Sequence, residues 1–430
     1  MKPIPLEVII MLTLIDQPYD GQLGTILTEK LADTKYKHFI IVSAFAKNSG
    51  VLRMKESMKY FRDRNGTIEA FIGLDAHGTS YEALVNLFSL VDSLYIVHDS
   101  NPSITFHSKI YYLTDLQNSD WIAVGSNNLT GGGLWTNHET VSILTTDENR
   151  IQGNIDYFSR FLRLIERYKE RTCGYSIKIE SVDDLDKLLE ADLLRHEIQL
   201  QIDMAKSKRR STEALDKRSA DPFGSIGRVH IPRVKGESKG KRIKVTNRNI
   251  EVTSIQDIAP SDNSEKMWFE TREMTGGSRN ILDLSMLGNL IKGTVYGTRY
   301  QTDKGTTILG SVVFFDVDPN NTAVEKEVTI NYKAKDYSGC TIKMHQSGAN
   351  PNGSWRIQLK GETASGDKLT TAEKGEWFVH KIIVLEKIRT DYYVMSVLPE
   401  SELDSLKSES IFVARNGRTP TSKQYGLLDI

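Results

Sequence analysis

The stretch HSKIYYLTDLQNSDWIAVGSNNLTGGGLWTNHE, residues 107–139, carries two short runs of strand-forming residues, 107–113 and 120–126, parted by the turn residues of TDLQNS. His107 and Lys109 are two apart on the first run, so their side chains share a face while Ser108 points away. The second run ends in Gly125, Ser126, Asn127 and Asn128, and Glu139 follows the loop LTGGGLWTNH. Two neighbouring strands are thus predicted to bring an imidazole, an ammonium, an amide and a carboxylate to one edge. Upstream, HFIIVSAFA (38–46), TIEAFIGL (67–74) and SLYIVHD (93–99) alternate with helical patterns such as SYEALVNLFSL (80–90). That alternation predicts an α/β domain.

These residue types suit phosphodiester hydrolysis. The reaction needs a nucleophile, donors or cations on the non-bridging oxygens, and an acid for the leaving oxygen. His107 is the candidate nucleophile, forming a phosphohistidine. Lys109 and Asn128 are the candidate clamps on the charged oxygens, and Glu139 is placed to orient and polarise an imidazole N–H by the logic of a triad. A single histidine does not readily serve as both nucleophile and acid. Glycines 131–133 read as a loop, since no GxxxxGK[ST] phosphate loop exists in the chain. His138 has no partners at metal-ligand spacing, so no metal site and no cofactor are expected.

Beyond residue 150, IDYFSRFLRLIERYKE (155–170) and SVDDLDKLLEADLLRHEIQLQIDMAK (181–206) have helical spacing, with Ser181 and Asp184 as a capping box. Lys206 to Asn263 reads as linker, with the basic clusters KSKRR (206–210) and KGESKGKRIK (235–244). Those clusters are either solvated charge or a strap that touches phosphates. After Met267 almost everything alternates as strand: GSVVFFDV (310–317), EVTINYKAK (327–335), GCTIKMHQ (339–346), SWRIQLKG (354–361), WFVHKIIVLEKI (377–388) and DYYVMSVLP (391–399). An all-β barrel or sandwich is the predicted fold there. No solenoid-period repeat is present.

A chain of 430 residues exceeds what one core supports, in line with two domains. With 39% apolar and 26% charged residues it has ordinary globular composition. The formal charge of −1 leaves any polyanion to be held by local basic clusters. Cys173 and Cys340 are far apart and in no CxxC pair, which argues against structural zinc or a disulfide framework and for a reducing, cytoplasmic setting. The opening MKPIPLEVIIMLTLIDQP holds an apolar run of roughly ten residues, too short to span a bilayer. It reads as a buried first strand or helix, with no membrane partner.

HSK, then GSNN, then a following Glu resemble the HxK, GSxN and E elements of the phospholipase D superfamily. Asn128, not Asn127, matches the last GSxN position. The superfamily often has Asp five residues after the Lys; here Thr114 stands there and Asp115 one later. The chain has one HxK element of this kind, whereas phospholipases and related transferases carry two in tandem. Single-copy members are similar in being nucleases that dimerise, so the resemblance implies a homodimer with His107 as nucleophile in one subunit and as general acid in the other. It also implies that protein cations, with no divalent ion, stabilise the charge.

The segment MWFETREMTGGSRNILDLSMLG (267–288) resembles the start of the C-terminal DNA-binding domain of restriction endonucleases of the NgoFVII and BfiI kind, which pair it with a phospholipase D-like nuclease domain. The resemblance implies a pseudobarrel similar to the B-three domain of plant transcription factors and to the effector domain of EcoRII. The expected organisation is an α/β phospholipase D-like nuclease domain at 1–175, a helical connector and basic linker at 176–265, and an all-β DNA-binding pseudobarrel at 266–430. Read from the residues alone, Arg272, Arg279 and Asn280 crowd a Gly-rich turn. The loop QSGANPNGSW (346–355) supplies Gln346, Asn350 and Asn352, with Trp355 and Arg356 beside them. Arg suits guanine and Asn or Gln suits adenine in the major groove, so these are candidate base-reading residues. Each is equally compatible with a plain inter-strand loop, and Trp355 is better placed in a core.

The resulting expectation is a sequence-specific, metal-independent restriction endonuclease acting on double-stranded DNA. Its alternatives are a nuclease subunit of an ATP-dependent restriction complex, with a separate ATPase or helicase and a methyltransferase, or a phospholipase-type phosphodiesterase. The single HxK element and the DNA-binding-like second domain weigh against the last.

Overall fold

Phe39, Ile40, Ile41 and Val42 are consecutive, and all are buried. A strand with no polar face must be covered on both sides, so β2 (His38–Ser43) belongs at the centre of a sheet. The computed structural model describes residues 11–101, 103–117, 119–146, 152–170, 174–215, 264–273, 280–302, 307–347, 350–372, 378–417 and 419–429. They form two compact units, one ending at Leu200 and the other beginning at Gln201.

The first unit runs β1 (Met11–Gln17), α1 (Leu23–Ala32), β2, α2 (Asn48–Asp63), β3 (Thr67–Gly73), α3 (Tyr81–Leu90), β4 (Ser93–Val97), β5 (Lys109–Thr114), β6 (Asp120–Gly125), β7 (Glu139–Thr146), α4 (Gln152–Lys169), β8 (Ser176–Ile179) and α5 (Val182–Glu190). α6 (Glu197–Leu215) begins in this unit and crosses the boundary at Leu200. The eight strands lie in the order β1-β7-β6-β5-β2-β3-β4-β8. β2, β3 and β4 are parallel and joined by α2 and α3, while β5, β6, β7 and β1 continue the sheet antiparallel. On one face Phe158, Phe161 and Ile165 of α4 pack over Ile40, Val42 and Ile122. α1 packs on α2 and α2 on α3, with α2 against β3 and α3 against β4. This is the mixed α/β sheet domain that the alternating pattern predicts.

Ser80 caps α3 by accepting the Ala83 N–H, and Asp184 accepts the Ser181 N–H at 3.1 Å in the expected capping box. The segment 181–206, read as one helix, is two: α5 ends at Glu190, and Asp192, at φ 55°, turns the chain before α6. β8 pairs with β4, and Tyr81 Oη donates to Asp186 at 2.5 Å. Sheet edge and helix packing therefore carry the first unit past residue 175, the expected end of the domain, to Leu200. The expected linker starts as helix, since α6 reaches Leu215; the cluster 235–244 lies outside the described residues. No helix among the described residues is long and apolar enough to cross a membrane.

The second unit is one sheet of eleven strands, beginning with β9 (Lys266–Glu270), β10 (Ile281–Asp283) and β11 (Leu287–Gly293). β12 (Thr307–Leu309), β13 (Glu325–Tyr332), β14 (Lys335–Ser347) and β15 (Asn350–Gln358) follow, then β16 (Lys381–Arg389) and β17 (Tyr392–Pro399). A short helix α7 (Leu403–Ser408) precedes β18 (Ser410–Arg415) and β19 (Gln424–Leu428). The order is β10-β15-β14-β13-β17-β16-β9-β19-β18-β11-β12, and no pairing among the described residues joins β10 to β12 into a closed barrel. Its core includes Met267, Phe269, Trp355, Tyr393 and Phe412. Trp355 is fully buried and donates Nε1–H to the Pro319 carbonyl at 3.0 Å, a core residue as expected.

One strand expectation is corrected. Within GSVVFFDV, Ser311–Phe315 form a 3₁₀ turn that buries Val312, Phe314 and Phe315, ended by Asp316 in the left-handed region. A short apolar run can be buried as strand or as helical turn, and periodicity alone does not separate the two. Cys340 is buried in this unit, and its thiol is pushed up to about 12 by desolvation, which keeps it inert. Cys173 lies outside the described residues.

Candidate active site

The antiparallel order from β2 through β5 and β6 to β7 decides which strand ends meet. β5 starts where β2 ends, with Lys109 opposite Ser43; β6 ends beside that start, and β7 begins beside the end of β6, with Gly125 opposite Val141. Lys109, Asn128 and Glu139 therefore reach the same sheet edge, although Glu139 is 30 residues from Lys109 in the chain. His107 lies just before β5, not within it, and is exposed.

Phe45, in the loop after β2, gathers the site. Its ring meets the His107 imidazole edge-on with centroids 5.8 Å apart, and the Lys109 ammonium lies 5.9 Å from its centroid. Its backbone N–H donates to Asn128 Oδ1 at 3.1 Å. That bond fixes which way the Asn128 amide faces and leaves Nδ2–H as the donor for a ligand. Phe45 is itself held from below: Ser43 Oγ donates to its carbonyl at 2.7 Å and accepts the Leu129 N–H at 2.9 Å. A Cβ at residue 78 would lie 2.0 Å from the Phe45 ring, so the close approach at this loop requires Gly78.

Lys109 is buried, and its ammonium donates to the His107 carbonyl at 2.7 Å. Desolvation lowers its pKa from the ordinary lysine value, opposed by the Glu139 carboxylate. The bond to the His107 carbonyl ties the cation to the backbone of the candidate nucleophile.

Glu139 is gripped at both oxygens. Ser126 Oγ donates to Oε2, Asn137 Nδ2 donates to Oε1 at 3.2 Å, and Ser126 Oγ accepts the Thr140 N–H at 3.1 Å. No hydrogen bond joins Glu139 to His107 among the described residues. A Cβ at residue 125 would stand 2.3 Å from the Thr140 carbonyl, so Gly125 lets β6 and β7 approach closely enough for the Ser126–Glu139 contact. Asp75 steadies the approach to His107: Oδ2 accepts the Phe106 N–H at 2.5 Å, and Oδ1 lies 2.7 Å from His98 Nδ1.

The two asparagines of GSNN separate by environment. Asn127 is buried, with Nδ2 donating to the Gly133 carbonyl at 2.8 Å and to Gln17 Oε1 at 3.4 Å. Gln17 in turn donates to the Gly133 and Asn137 carbonyls. Gly132–Thr136 form a helical turn where the glycines read as a loop, so Asn127 is a strut for that turn, and Asn128 is the residue at the open edge. Asn127→Ala is expected to cost about 1 kcal/mol of stability by removing one of the two donors to the Gly133 carbonyl, read as a lowered Tm, with turnover per folded molecule retained. Asn128→Ala is expected to lower turnover about 100-fold, with Tm lowered as well by loss of the acceptor for the Phe45 N–H.

Sequence reading missed Phe45, Ser126, Asn137 and Asp75. A phenylalanine whose ring and N–H both serve the site has no sequence signature, but Ser126 sits inside the GSNN element and could have been found there. Asp115 takes no part at this edge: its Oδ1 accepts the Gln117 and Ser119 N–H groups at the far end of β5. Among the described residues no group of three or more His, Cys, Asp or Glu is placed to hold a metal ion.

The candidate DNA-reading residues are dispersed within the second unit. Arg272 Nε donates to Glu270 at 2.7 Å, and Arg356 Nε donates to Asp283 at 3.1 Å and Ser354 at 3.0 Å. Asn280 is buried. Gln346 lies on β14, and Asn350 and Asn352 lie on β15, at the end of a hairpin in which Ser347 faces Asn350. The expected open loop is therefore mostly paired strand. Arg279 lies outside the described residues.

No family model matches the chain. No curated protein matches it either. Among solved structures it is similar to a phospholipase D family member, Nuc from Salmonella typhimurium, at 16% identity over 40% of this chain and 100% of that one, with a TM-score of 0.29. It is also similar to NucT from Helicobacter pylori, at 13% identity over 36% of this chain and 97% of that one, TM-score 0.25. A third is phosphatidylserine synthase of Haemophilus influenzae Rd KW20, at 13% identity over 49% and 48%, TM-score 0.31. At these scores the function is left to be read from the side chains.

Proposed function

We propose that the chain is a phosphodiesterase that cuts double-stranded DNA, with its chemistry at His107, Lys109, Asn128 and Glu139. The observation that carries this reading is the gathering of an exposed imidazole, a buried ammonium and an oriented amide around Phe45 at one open sheet edge. A nitrogen of His107 attacks phosphorus, the P–O bond to the leaving group breaks, and a phosphohistidine forms. Lys109 and Asn128 Nδ2–H hold the non-bridging oxygens, whose charge grows in the transition state. The leaving oxygen takes a proton from the His107 of a second copy of the chain, which then draws a proton from water as the water oxygen attacks phosphorus and the P–N bond breaks, releasing the phosphate and the free imidazole of the first His107. The homodimer follows from this need for a second histidine, and Glu139, held by Ser126 and Asn137, is the carboxylate that orients an imidazole N–H at the edge.

Sequence-specific restriction is the finer proposal. Its support is the second sheet-rich unit, in which the backbone places Gln346, Asn350 and Asn352 at one hairpin end, residue types that suit adenine edges. The alternative to it is a nuclease subunit that acts with a separate ATPase or helicase and a methyltransferase of the same system.

The purified protein is expected to cut mixed-sequence plasmid and phage DNA into discrete fragments in excess EDTA, because the charge is held by protein groups. Random fragments would leave the phosphodiesterase but remove the sequence reader. Cutting only after magnesium, ATP and a partner are added would sink metal independence and favour the ATP-coupled form.

A further inference from the structure

Away from the sheet edge, the first unit buries a polar cluster that the proposed chemistry does not use. Glu197 and Glu82 are each about nine-tenths buried, beside Ser80, Asn48 and Asn86, which are almost wholly so. The first turns of three helices meet there. Glu197 Oε2 accepts the Asn48 N–H at 2.8 Å and the Ser80 hydroxyl at 2.6 Å; Asn48 opens α2, and Ser80 caps α3. Glu82 Oε2 accepts the Glu197 N–H, at the start of α6, at 2.8 Å, and Glu82 Oε1 lies 2.9 Å from His196 Nδ1. Three helix N-termini, each with a partial positive charge and orphan N–H groups, offset the cost of burying two carboxylates. α2 has no capping bond from its own N-cap side chain, so a carboxylate from 149 residues away performs that task.

The cluster connects to the candidate active site by a short run of backbone. Asn48 follows the loop 44–47, which carries Phe45. In that loop Ala46 O accepts the Ser80 N–H at 3.1 Å, Ala46 N–H donates to Thr79 Oγ1 at 3.1 Å, and Lys47 N–H donates to the Leu129 carbonyl at 3.0 Å. The loop is therefore pinned on one side by Ser80 and Asn48, both held by Glu197, and on the other by the Leu129 backbone next to Asn128. Phe45, between the two, holds Asn128 Oδ1 through its N–H.

We infer that Glu197 is a positioning residue for the phosphate clamp: through Asn48 and Ser80 it fixes the Phe45 loop, and through the Phe45 N–H it orients the Asn128 amide. The inference rests on the reading of Asn128 as a phosphate ligand. A capping role alone would make Glu197 matter for stability but not for turnover. Positioning makes its effect on turnover disappear once Asn128 is gone.

The test compares full-length wild type, Glu197→Ala, Glu197→Gln, Asn128→Ala and the Glu197→Ala/Asn128→Ala double variant, with bis(p-nitrophenyl) phosphate as substrate well below each Tm. Glu197→Ala is expected to lower kcat about tenfold or more with little change in KM, since a misaligned donor is felt in the transition state. Glu197→Gln, which keeps an acceptor oxygen for both donors, is expected to recover kcat to within about threefold of wild type. In the Asn128→Ala background, Glu197→Ala is expected to change kcat by less than about twofold, because residues acting through one group are not additive. Amide exchange supplies a readout independent of catalysis: the Phe45 N–H should exchange faster in Glu197→Ala and at the wild-type rate in Glu197→Gln. Full kcat in Glu197→Ala, an additive loss in the double variant, or unchanged Phe45 exchange would each overturn the inference. If wild type hydrolyses neither this diester nor DNA, the phosphodiesterase reading falls, and Phe45 exchange still decides whether Glu197 holds the loop.

Discussion

Replacing His107 with alanine should abolish phosphodiester cleavage while leaving the protein folded and its affinity for DNA close to wild type. The imidazole is exposed, and its ring contact among the described residues is the edge of Phe45, so its removal opens no cavity in either core. Loss of a nucleophile removes the covalent route altogether, and a fall in turnover of about ten-thousand-fold or more is expected. Circular dichroism and gel shifts should match wild type. A phosphohistidine trapped by acid quench should appear in wild type and be missing from His107→Ala. Residual cleavage within about a hundredfold of wild type would remove His107 from the role of nucleophile and send the search to another group at this edge.

Lys109→Met should separate function from stability in the opposite sense. The Lys109 ammonium is buried, is held below the ordinary lysine range by desolvation, and donates to a backbone carbonyl. An apolar side chain of similar length avoids that desolvation. Tm is expected to be level or slightly raised, because the relief of desolvation opposes the loss of the bond to the His107 carbonyl. Turnover should drop about 100- to 1,000-fold, the scale of losing a preorganised donor to the developing charge. The pH behaviour follows from the sign of the shift. With the folded pKa below the unfolded value of 10.5, the folded state binds fewer protons between the two, so stability rises with pH across that window. Activity moves the other way, falling as Lys109 loses its proton, and this alkaline limb should start below the range of an unperturbed lysine. Lys109→Met should lose both the stability slope and the limb. A destabilised Lys109→Met with near-normal turnover would place the ammonium in a structural role.

Much of the first unit was legible from local pattern. The runs at 38–46, 67–74, 93–99, 107–113 and 120–126 all contain strands, because β-branched and aromatic residues bounded by turn residues pack well on a pleated, half-buried surface. The capping box at Ser181 was legible because its two residues are three apart and act on each other's backbone. Where the chain misled, the deciding contact was remote. Nothing local says that 310–317 should coil into a 3₁₀ turn, that QSGANPNGSW should be mostly paired strand, or that β8 should add to the first sheet.

The amino-acid sequence by itself determined which residues are candidates for the site, His107, Lys109, Asn128 and Glu139, because the two-residue spacing of HSK and the short GSNN element are local facts. It also separated an α/β half from a strand-rich half, since the periods of helix and strand differ. Tertiary structure alone decided that Asn128 faces the open edge while Asn127 is buried, that Phe45 joins His107, Lys109 and Asn128, and that Glu139 is held by Ser126 and Asn137. It also placed Glu197 under the loop that carries Phe45. The reason is range: spacing sets which face a side chain takes on its own element, whereas hydrogen bonds between groups as far apart as Asn48 and Glu197 depend on how the sheet and helices close around them.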